Sequence, residues 1–194
     1  MKYLIVYTHP NPQSFNHAIL ETISGELRNK GKECEVRDLY EIRFNPVLKS
    51  EDLAAIRKGT AVQDVQVEQD YIRAADFLIF IYPLWWAGMP AMLKGYIDRV
   101  FSEGFAYKIS AEGIEGLLPG KKVFLVTTTG ASKADYEDSG FFKSMDQLID
   151  VGIFRSCDLE LVGHKYFSSV PNVSDGDRRE MLEELKNITR TQLI

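Results

Sequence analysis

Cysteine and histidine are scarce in this sequence. Among 194 residues there are two cysteines, Cys34 and Cys157, and three histidines. The cysteines lie far apart and match no metal-binding or redox spacing, so we expect free thiols, no metal site and a reducing, cytoplasmic environment. His17 and His164 have no neighbours that suggest a catalytic pair, and we expect both to be structural or exposed.

Long apolar runs and a strong excess of one charge are also absent. The longest apolar stretch, residues 77–93, is interrupted by Pro83, Gly88 and Pro90, so no membrane insertion is expected. The apolar run at residues 3–7 is too short for a signal peptide. The 23 basic and 28 acidic residues leave a net charge of -5, which gives no reason to expect a nucleic-acid partner.

The chain has no Gly-x-Gly-x-x-Gly after its first apolar run and no sixth strand-like segment. These absences argue against the six-stranded dinucleotide-binding fold. Five strand-like segments instead alternate with helical patterns, without repeat or linker, which predicts one α/β domain over residues 1–194. The predicted strands lie at 2–7, 34–39, 77–82, 123–126 and around 159–161. The predicted helices lie near 15–27, 51–58, 65–75, 93–101, 140–151 and 181–188.

The predicted strands are of two kinds, and this difference predicts their order. The first, third and fourth are apolar throughout, as central strands of a parallel sheet are. The second and fifth alternate apolar with charged residues, as half-buried edge strands do. This pattern predicts a doubly wound, flavodoxin-like parallel sheet of order 2-1-3-4-5. Ligands of such sheets bind where the strand order reverses, beyond the carboxyl ends of the strands.

The loop at residues 8–16 follows the first strand and ends at a helix N-terminus. Free backbone N–H groups and the helix dipole favour a phosphate at such a place. Ser14 and Asn16 add a hydroxyl and an amide, and His9 can reach an anion. Capping of the helix by Ser14 is the alternative, and it uses the same geometry.

Two further loops are predicted to meet the first at the same edge of the sheet. Residues 83–90 contain Trp85 and Trp86, which either pack on the core, offer a platform for a planar ring, or do one each. Residues 127–132 combine three threonines with Gly130, which suits the polar edge of a heteroaromatic ring or a plain turn. A phosphate cradle, an aromatic wall and a polar rim together predict a flavin site.

Several segments also match the motifs of one family, in the same order over residues 1–140. They are His9 with Ser14-Phe15-Asn16, Pro83-Leu84-x-Trp86 with Gly88-x-Pro90-Ala91-x-Leu93-Lys94-Gly95, Asp98-Arg99-Val100-Phe101, Phe105-Ala106-Tyr107, and Thr128-Thr129-Gly130 with Tyr136. The ordered set resembles the NAD(P)H dehydrogenases (quinone), the family of DT-diaphorase and its shorter bacterial relatives. The remaining residues match only in pattern.

The resemblance implies that the chain binds FAD, with FMN as the alternative, and takes electrons from NAD(P)H. The first loop would hold the pyrophosphate and adenylate side of the cofactor, and the other two loops would line its isoalloxazine ring. The implied cofactor-binding residues are His9, Ser14, Phe15, Asn16, Pro83, Leu84, Trp85, Trp86, Thr128, Thr129 and Gly130.

The resemblance also implies a catalytic residue, Tyr136, which would donate a hydrogen bond to the flavin edge that becomes negative on reduction. Family members are homodimers, so Tyr107 would enter the site of the partner. Trp86, Tyr107 and Phe142 are the implied substrate residues. Two alternatives remain open: the segment of Tyr107 folds back onto its own core, and Tyr136 only covers the site.

The sequence departs from the family at several pocket positions. Phe142 stands where larger members have a histidine, Trp85 replaces a glutamine, and Ala87 replaces an aromatic residue. Substrate preference is therefore not carried over. The implied activity is the two-electron, ping-pong reduction of quinones or similar acceptors by NAD(P)H. An ancillary flavoprotein subunit of a potassium-efflux system and a one-electron carrier are the two other hypotheses.

Overall fold

The computed structural model describes residues 1–194 and has a five-stranded parallel sheet at its centre. The strands are β1 (Lys2–Tyr7), β2 (Glu33–Asp38), β3 (Phe77–Pro83), β4 (Tyr107–Ser110), β5 (Gly113–Gly116), β6 (Lys122–Thr128) and β7 (Glu160–Phe167). The order in the large sheet is β2-β1-β3-β6-β7, and β4 and β5 form a separate two-stranded sheet. Without that hairpin the order is the predicted 2-1-3-4-5, so the flavodoxin-like fold is confirmed.

Strand burial follows the position of each strand in the sheet. Every residue of β3 is buried, and β1 and β6 are buried except at their first residue. The edge strands β2 and β7 are only partly buried. Helices cover both faces of a parallel sheet, so a central strand has no solvent-facing side chains. The apolar runs therefore predicted the central strands correctly.

The helices are α1 (Phe15–Asn29), α2 (Ser50–Ile56), α3 (Gln63–Ala74), α4 (Ala91–Val100), α5 (Lys133–Asp138), α6 (Phe141–Met145) and α7 (Asp175–Ile188). Helix α6 continues as a π-helical segment, Asp146–Phe154, and a 3₁₀ turn, Arg155–Cys157; a second π-helical segment, Thr189–Leu193, follows α7. Helices α1 and α7 contribute to the core on one face of the sheet, and α3, α4 and the first π-helical segment to the core on the other. None of the helices combines the length and the apolar character needed to cross a membrane.

Two parts of the sequence prediction differ from the structure. The β4–β5 hairpin was not predicted, because its strands are four residues long and largely exposed and carry no clear apolar alternation. The helix predicted at 140–151 corresponds to α6 and the π-helical segment that continues it, whereas the short helix α5 before it was not predicted. A capping box between Ser132 and Asp135 starts α5 earlier, and Gly140, with a φ of 72°, separates α5 from α6.

A buried ion cluster fixes the segment between β2 and α3 onto α4. The Arg99 guanidinium donates to Asp52 at 2.8 and 3.1 Å, to Asp64 at 2.6 and 3.1 Å, and to the Asn45 carbonyl at 2.7 Å. One turn earlier on α4, a Cβ at Gly95 would lie 2.1 Å from the Pro46 carbonyl oxygen, so only glycine allows this approach. The cluster and the close approach at Gly95 together fix α4, the helix that directly follows the tryptophan loop.

Candidate functional site

The three loops meet at the carboxyl edge of the sheet. The Asn16 side-chain amide donates to the Thr128 hydroxyl at 2.8 Å, which joins the first loop to the third. The Leu84 N–H donates to the Thr128 carbonyl at 2.8 Å, which joins the second loop to the third. The predicted convergence is therefore present, with Thr128 in contact with both of the other loops.

The first loop has the geometry of an anion site. Ser14 caps α1, and its hydroxyl accepts a hydrogen bond from the His17 N–H at 3.2 Å. The first N–H groups of a helix have no partner within it, so the backbone N–H groups of Phe15 and Asn16 are free of the helical ladder. The buried oxygens Asn16 Oδ1 and Thr8 Oγ1 also lack a hydrogen-bond partner. These unpartnered polar atoms fit a site that a polar ligand completes.

His9 is oriented within the first loop. Its Nδ1 lies 3.0 Å from the Asn11 N–H and 3.2 Å from the Asn11 carbonyl; burial lowers the pKa of His9, and the hydrogen bond to the Asn11 backbone opposes the shift. When Nδ1 accepts from the Asn11 N–H, the neutral ring carries its proton on Nε2. His9 is therefore suited to donate a hydrogen bond to an anion. The Phe15 ring packs edge-on against Phe167 at 6.0 Å, so Phe15 can serve the site through its backbone N–H rather than its ring.

The second loop presents both tryptophans to solvent. Trp85 and Gly88 exchange two backbone hydrogen bonds of 3.1 Å, and Trp86 and Ala87 between them have φ values of 50° and 55°. This is a type I′ turn made without glycine at its central positions. Trp86 is fully exposed and Trp85 is 43% exposed, so neither ring packs on the core. Pro83 and Leu84 are buried beneath them.

The third loop is held by hydrogen bonds within the protein. Thr128 and Thr129 are buried, and the Thr129 hydroxyl donates to the Ala131 carbonyl at 3.0 Å. The Gly130 carbonyl accepts from the side-chain amide of Asn172 at 3.3 Å. The two threonine hydroxyls are therefore already engaged within the protein, and Gly130 and Ala131 are the exposed residues of this loop.

A cavity of about 420 Å³ opens beside the exposed turn of the second loop. Its lining includes Trp86, Asp135, Tyr136 and Phe141. The structure thus brings Trp86 and Tyr136 together, two residues that the sequence placed in one site. An open cavity between aromatic side chains suits a planar ring system.

The other two predicted substrate residues lie elsewhere in the same chain. Phe142 lines an adjacent cavity of about 490 Å³, and Tyr107 lines an apolar groove of about 370 Å³ near Ile109 and Ile114. Phe105 is buried under the guanidinium of Arg73, so this part of the segment folds back onto its own core. Tyr107 is half-buried and packs against the same core. Within one chain, Tyr107 therefore does not reach the cavity of Trp86 and Tyr136.

Comparison with known proteins identifies the family. The profile of a family described as having a flavodoxin-like fold matches residues 1–189. A protein named "Uncharacterized NAD(P)H oxidoreductase" from Haemophilus influenzae is 38% identical over 194 residues, which cover 100% of this chain and 96% of that protein. NAD(P)H dehydrogenase (quinone) 1 of Rattus norvegicus is 32% identical over 208 residues, covering 97% of this chain and 76% of that one. The chain belongs to the NAD(P)H dehydrogenase (quinone) family.

A solved structure supports the same assignment. The NAD(P)H:quinone oxidoreductase from Methanothermobacter marburgensis superposes with a TM-score of 0.87 at 30% identity. The match covers 98% of this chain and 96% of that one. The fold is therefore shared with that quinone oxidoreductase over nearly the whole chain.

This family member has a buried polar cluster that the sequence did not reveal. The His164 ring is 2.9 Å from Asp150 through Nδ1 and 2.8 Å from the Thr127 hydroxyl through Nε2. Tyr166 places its hydroxyl 3.0 Å from the same Nδ1 and donates to Asp146 at 3.1 Å. His164 is structural in the sense predicted, since its side chain is buried, and its partners were not recognisable from the sequence.

Distance along the chain explains why the cluster was missed. The partners of His164 come from β6 and from the π-helical segment, 37 and 14 positions away. The only local signal is the spacing of His164 and Tyr166, which places both side chains on one face of β7. Ligand atoms of Asp146, Asp150 and His164 lie within 4.8 Å of one another, but both nitrogens of His164 already have hydrogen-bond partners. A cation bound at Nδ1 would have to replace the bond to Asp150.

Proposed function

We propose that this protein is a flavin-dependent NAD(P)H oxidoreductase that reduces quinones or similar acceptors by two electrons in a ping-pong reaction. The observation that carries the proposal is the meeting of three loops at one sheet edge, through the bonds of Thr128 to Asn16 and Leu84. The names of the similar proteins, NAD(P)H oxidoreductase and NAD(P)H dehydrogenase (quinone), agree with this activity.

The first loop would hold the phosphate groups of the cofactor. The N-terminus of α1 supplies backbone N–H groups and a favourable dipole, and neutral His9 supplies an Nε2–H donor. We propose FAD rather than FMN, because Ser14-Phe15-Asn16 resembles the helix start of FAD-binding family members. Bound flavin supplies the hydride and electron chemistry, which no side chain of this protein can supply.

The residues of the open cavity would position the reactants. Trp86 offers a fully exposed aromatic face at the cavity, against which a planar acceptor or a nicotinamide can stack. The Tyr136 hydroxyl would donate a hydrogen bond to the edge of the ring system that gains negative charge. Because that charge grows during hydride transfer, the hydrogen bond stabilises the transition state more than the ground state.

We also propose that two copies of the chain associate. Four large apolar side chains are exposed on the hairpin and on the π-helical segment, both of which line one apolar groove. They are Ile109, Ile114, Leu148 and Val151, with exposures of 66%, 64%, 69% and 40%. Association through this face would bury them and carry Tyr107 towards the second copy.

Sedimentation velocity at micromolar concentration tests the association. We expect a dimer for the natural protein and a monomer for Ile114→Lys, because a charge at the centre of an apolar interface is costly to bury. A monomeric natural protein that turns over fully would refute the idea of a shared site.

The cofactor and the activity are tested together on the purified protein. We expect a flavin absorbance spectrum that bleaches on addition of NADPH or NADH and recovers on addition of a quinone. Heat release followed by chromatography should identify FAD. Recovery of FMN alone would contradict the FAD assignment, and failure to bind either flavin on reconstitution would contradict the site.

The two other hypotheses predict different behaviour in the same experiment. A one-electron carrier would be reduced slowly by NAD(P)H and would not turn over a quinone. An ancillary subunit of a potassium-efflux system would co-purify with a membrane protein. Neither hypothesis has a structural observation in its favour. A cytoplasmic location stays a prediction that depends on the reduced state of the two free cysteines, Cys34 and Cys157.

Removal of one hydroxyl tests the catalytic role of Tyr136. We expect Tyr136→Phe to bind flavin normally and to slow flavin reduction by about tenfold, or ~1.4 kcal/mol, since the charge it would stabilise is delocalised. Stopped-flow absorbance measures this rate. Tyr71→Phe is the control, because Tyr71 lines a cavity with Lys2 and Glu33 at the opposite end of the sheet. An unchanged rate in Tyr136→Phe, with a raised KM in Tyr136→Ala, would leave Tyr136 only a covering role.

A further inference from the structure

The helix that carries Tyr136 is weakly attached to the rest of the fold. Helix α5 is six residues long, and none of its residues is buried. Its capping box links Ser132 to Asp135 and so stabilises the helix internally, not its position on the sheet. The Tyr136 ring, however, stacks on Phe142 with a centroid distance of 5.2 Å and an interplanar angle of 23°. The other aromatic neighbour of Tyr136, Phe141, meets it edge-on at 5.8 Å and is itself exposed, so the position of Tyr136 depends mainly on what supports Phe142.

Phe142 is one member of a continuous row of rings that leads back to the central sheet. The Phe142 centroid lies 4.5 Å from that of Tyr166, and the Tyr166 ring lies on His164 at 4.0 Å and 24°. Tyr166 and His164 both belong to β7, a strand of the sheet. We call the three supporting rings, His164, Tyr166 and Phe142, the aromatic column. The column connects a rigid strand to the exposed helix of Tyr136.

The base of the aromatic column is held in one orientation by hydrogen bonds. Because a carboxylate only accepts, the contact of 2.9 Å with Asp150 places a proton on Nδ1 of His164. The contact of 2.8 Å with Thr127 engages Nε2, and Thr127 is fully buried on the neighbouring strand β6. Two bonds on opposite sides of the ring prevent its rotation. The His164 ring is thus a fixed plane on which Tyr166 rests.

We propose that His164 is a positioning residue: through the aromatic column it sets the place of the Tyr136 hydroxyl at the edge of the reaction cavity. The proposal rests on the proposed function for what Tyr136 does, and on geometry alone for how Tyr136 is held. It also gives Phe142 a role in place of the histidine of the larger family members. A phenyl ring cannot relay a proton, but it can transmit the position of one ring to the next.

Hydrogen–deuterium exchange of residues 133–142 in the natural protein and its variants, with and without added flavin, tests the proposal without reference to activity. We expect exchange about tenfold faster in His164→Gln and in Phe142→Leu, since either change removes a ring from the column and frees α5 to open. Glutamine can still bond to Asp150 and Thr127, so His164→Gln leaves the buried carboxylate with a partner. Tyr166→Phe is the matched control, because it keeps every ring and should exchange as the natural protein does.

Three results would overturn the proposal. Unchanged exchange in Phe142→Leu would show that the column does not hold α5. Unchanged exchange in His164→Gln, with faster exchange in Phe142→Leu, would show that the support ends at Tyr166. Exchange in Tyr166→Phe as fast as in His164→Gln would show that the Tyr166 hydroxyl bonds, rather than the stacked rings, give the support.

Flavin reduction in a double-mutant cycle separates this proposal from the catalytic role of Tyr136. We expect His164→Gln to slow reduction by about tenfold in the natural background and to have no further effect in Tyr136→Phe, since both changes remove one interaction. Equal slowing in both backgrounds would show that His164 acts on the rate by another route and would overturn the proposal. If Tyr136→Phe alone leaves the rate unchanged, the catalytic role fails, and the exchange experiment still decides how Tyr136 is held.

Discussion

Replacement of Ser14 by glutamate should lower the affinity for flavin by at least about a hundredfold, because a fixed carboxylate next to a phosphate costs several kcal/mol. Ser14 sits at the N-cap of α1, where its hydroxyl accepts from His17. A glutamate there would place its negative charge among the N–H groups that we assign to the cofactor phosphates. Flavin fluorescence quenching gives the dissociation constant directly.

The same substitution at a second N-cap is the control. Ser174 caps α7 with φ and ψ of -70° and 165°, close to the -73° and 159° of Ser14, and its hydroxyl also accepts from the third residue of its helix. Ser174→Glu therefore removes the same kind of cap at the N-terminus of a different helix, outside the first loop. We expect it to leave flavin affinity unchanged. Equal loss of affinity in the two variants would mean that cap removal, not charge at the first loop, weakens binding.

Replacement of Arg99 by methionine should reduce the free energy of unfolding by about 3–5 kcal/mol, the usual cost of leaving a buried charge without its partner. Both Arg99 and Asp52 have side chains that are 4% exposed, and methionine offers Asp52 no hydrogen bond. The Asn45 carbonyl would also lose its donor. Urea unfolding of the flavin-free protein measures the change.

Two further variants identify the cause of that loss. Arg28→Met removes an arginine whose contact with Glu21 is 3.9 Å long and exposed on both sides, and we expect a change of at most about 1 kcal/mol. Adding Asp52→Asn to Arg99→Met should recover part of the stability, because it removes the unpaired charge. Asp52→Asn is also measured alone. If it lowers the free energy of unfolding of Arg99→Met by as much as it lowers that of the natural protein, the unpaired Asp52 charge is not the cause of the loss.

The same cluster predicts a dependence of stability on pH. Hydrogen bonds from Arg99 lower the pKa of Asp64 below its usual value of 3.8. A carboxyl whose pKa is lowered on folding stabilises the protein above its unfolded pKa, and this contribution is lost as the pH falls through the folded pKa. The free energy of unfolding of Arg99→Met should therefore fall less on acidification than that of the natural protein does.

The fold could be predicted from the sequence because burial in a parallel sheet leaves a strong local pattern. Residues 77–82 are continuously apolar, and β3 is buried at every position. The alternating residues of β2 and β7 marked the edges of the sheet. The topological rule then located the three loops, and the bond between Asn16 and Thr128 shows that they meet.

The side-chain arrangement at the site could not be predicted in the same way. The exposure of both tryptophans depends on a turn with positive φ values at Trp86 and Ala87, and neither residue type suggests such a backbone. The partners of His164 come from two other elements of the fold, and their distance along the chain hides them from a local pattern. A role that involves a second copy of the chain, such as the one we propose for Tyr107, lies beyond what one chain contains.

The type I′ turn of the second loop has a consequence for the rate at which a planar molecule can be captured. Non-glycine residues in this conformation each cost on the order of 1–3 kcal/mol, and Trp86 and Ala87 both adopt it. This backbone strain lowers the free energy of unfolding of the protein. The indole of Trp86 is already exposed before a ligand arrives, so a planar ligand can stack on it without any reordering of the backbone. Encounter frequency, rather than loop closure, would then limit how fast a hydride donor and an acceptor exchange at this cavity.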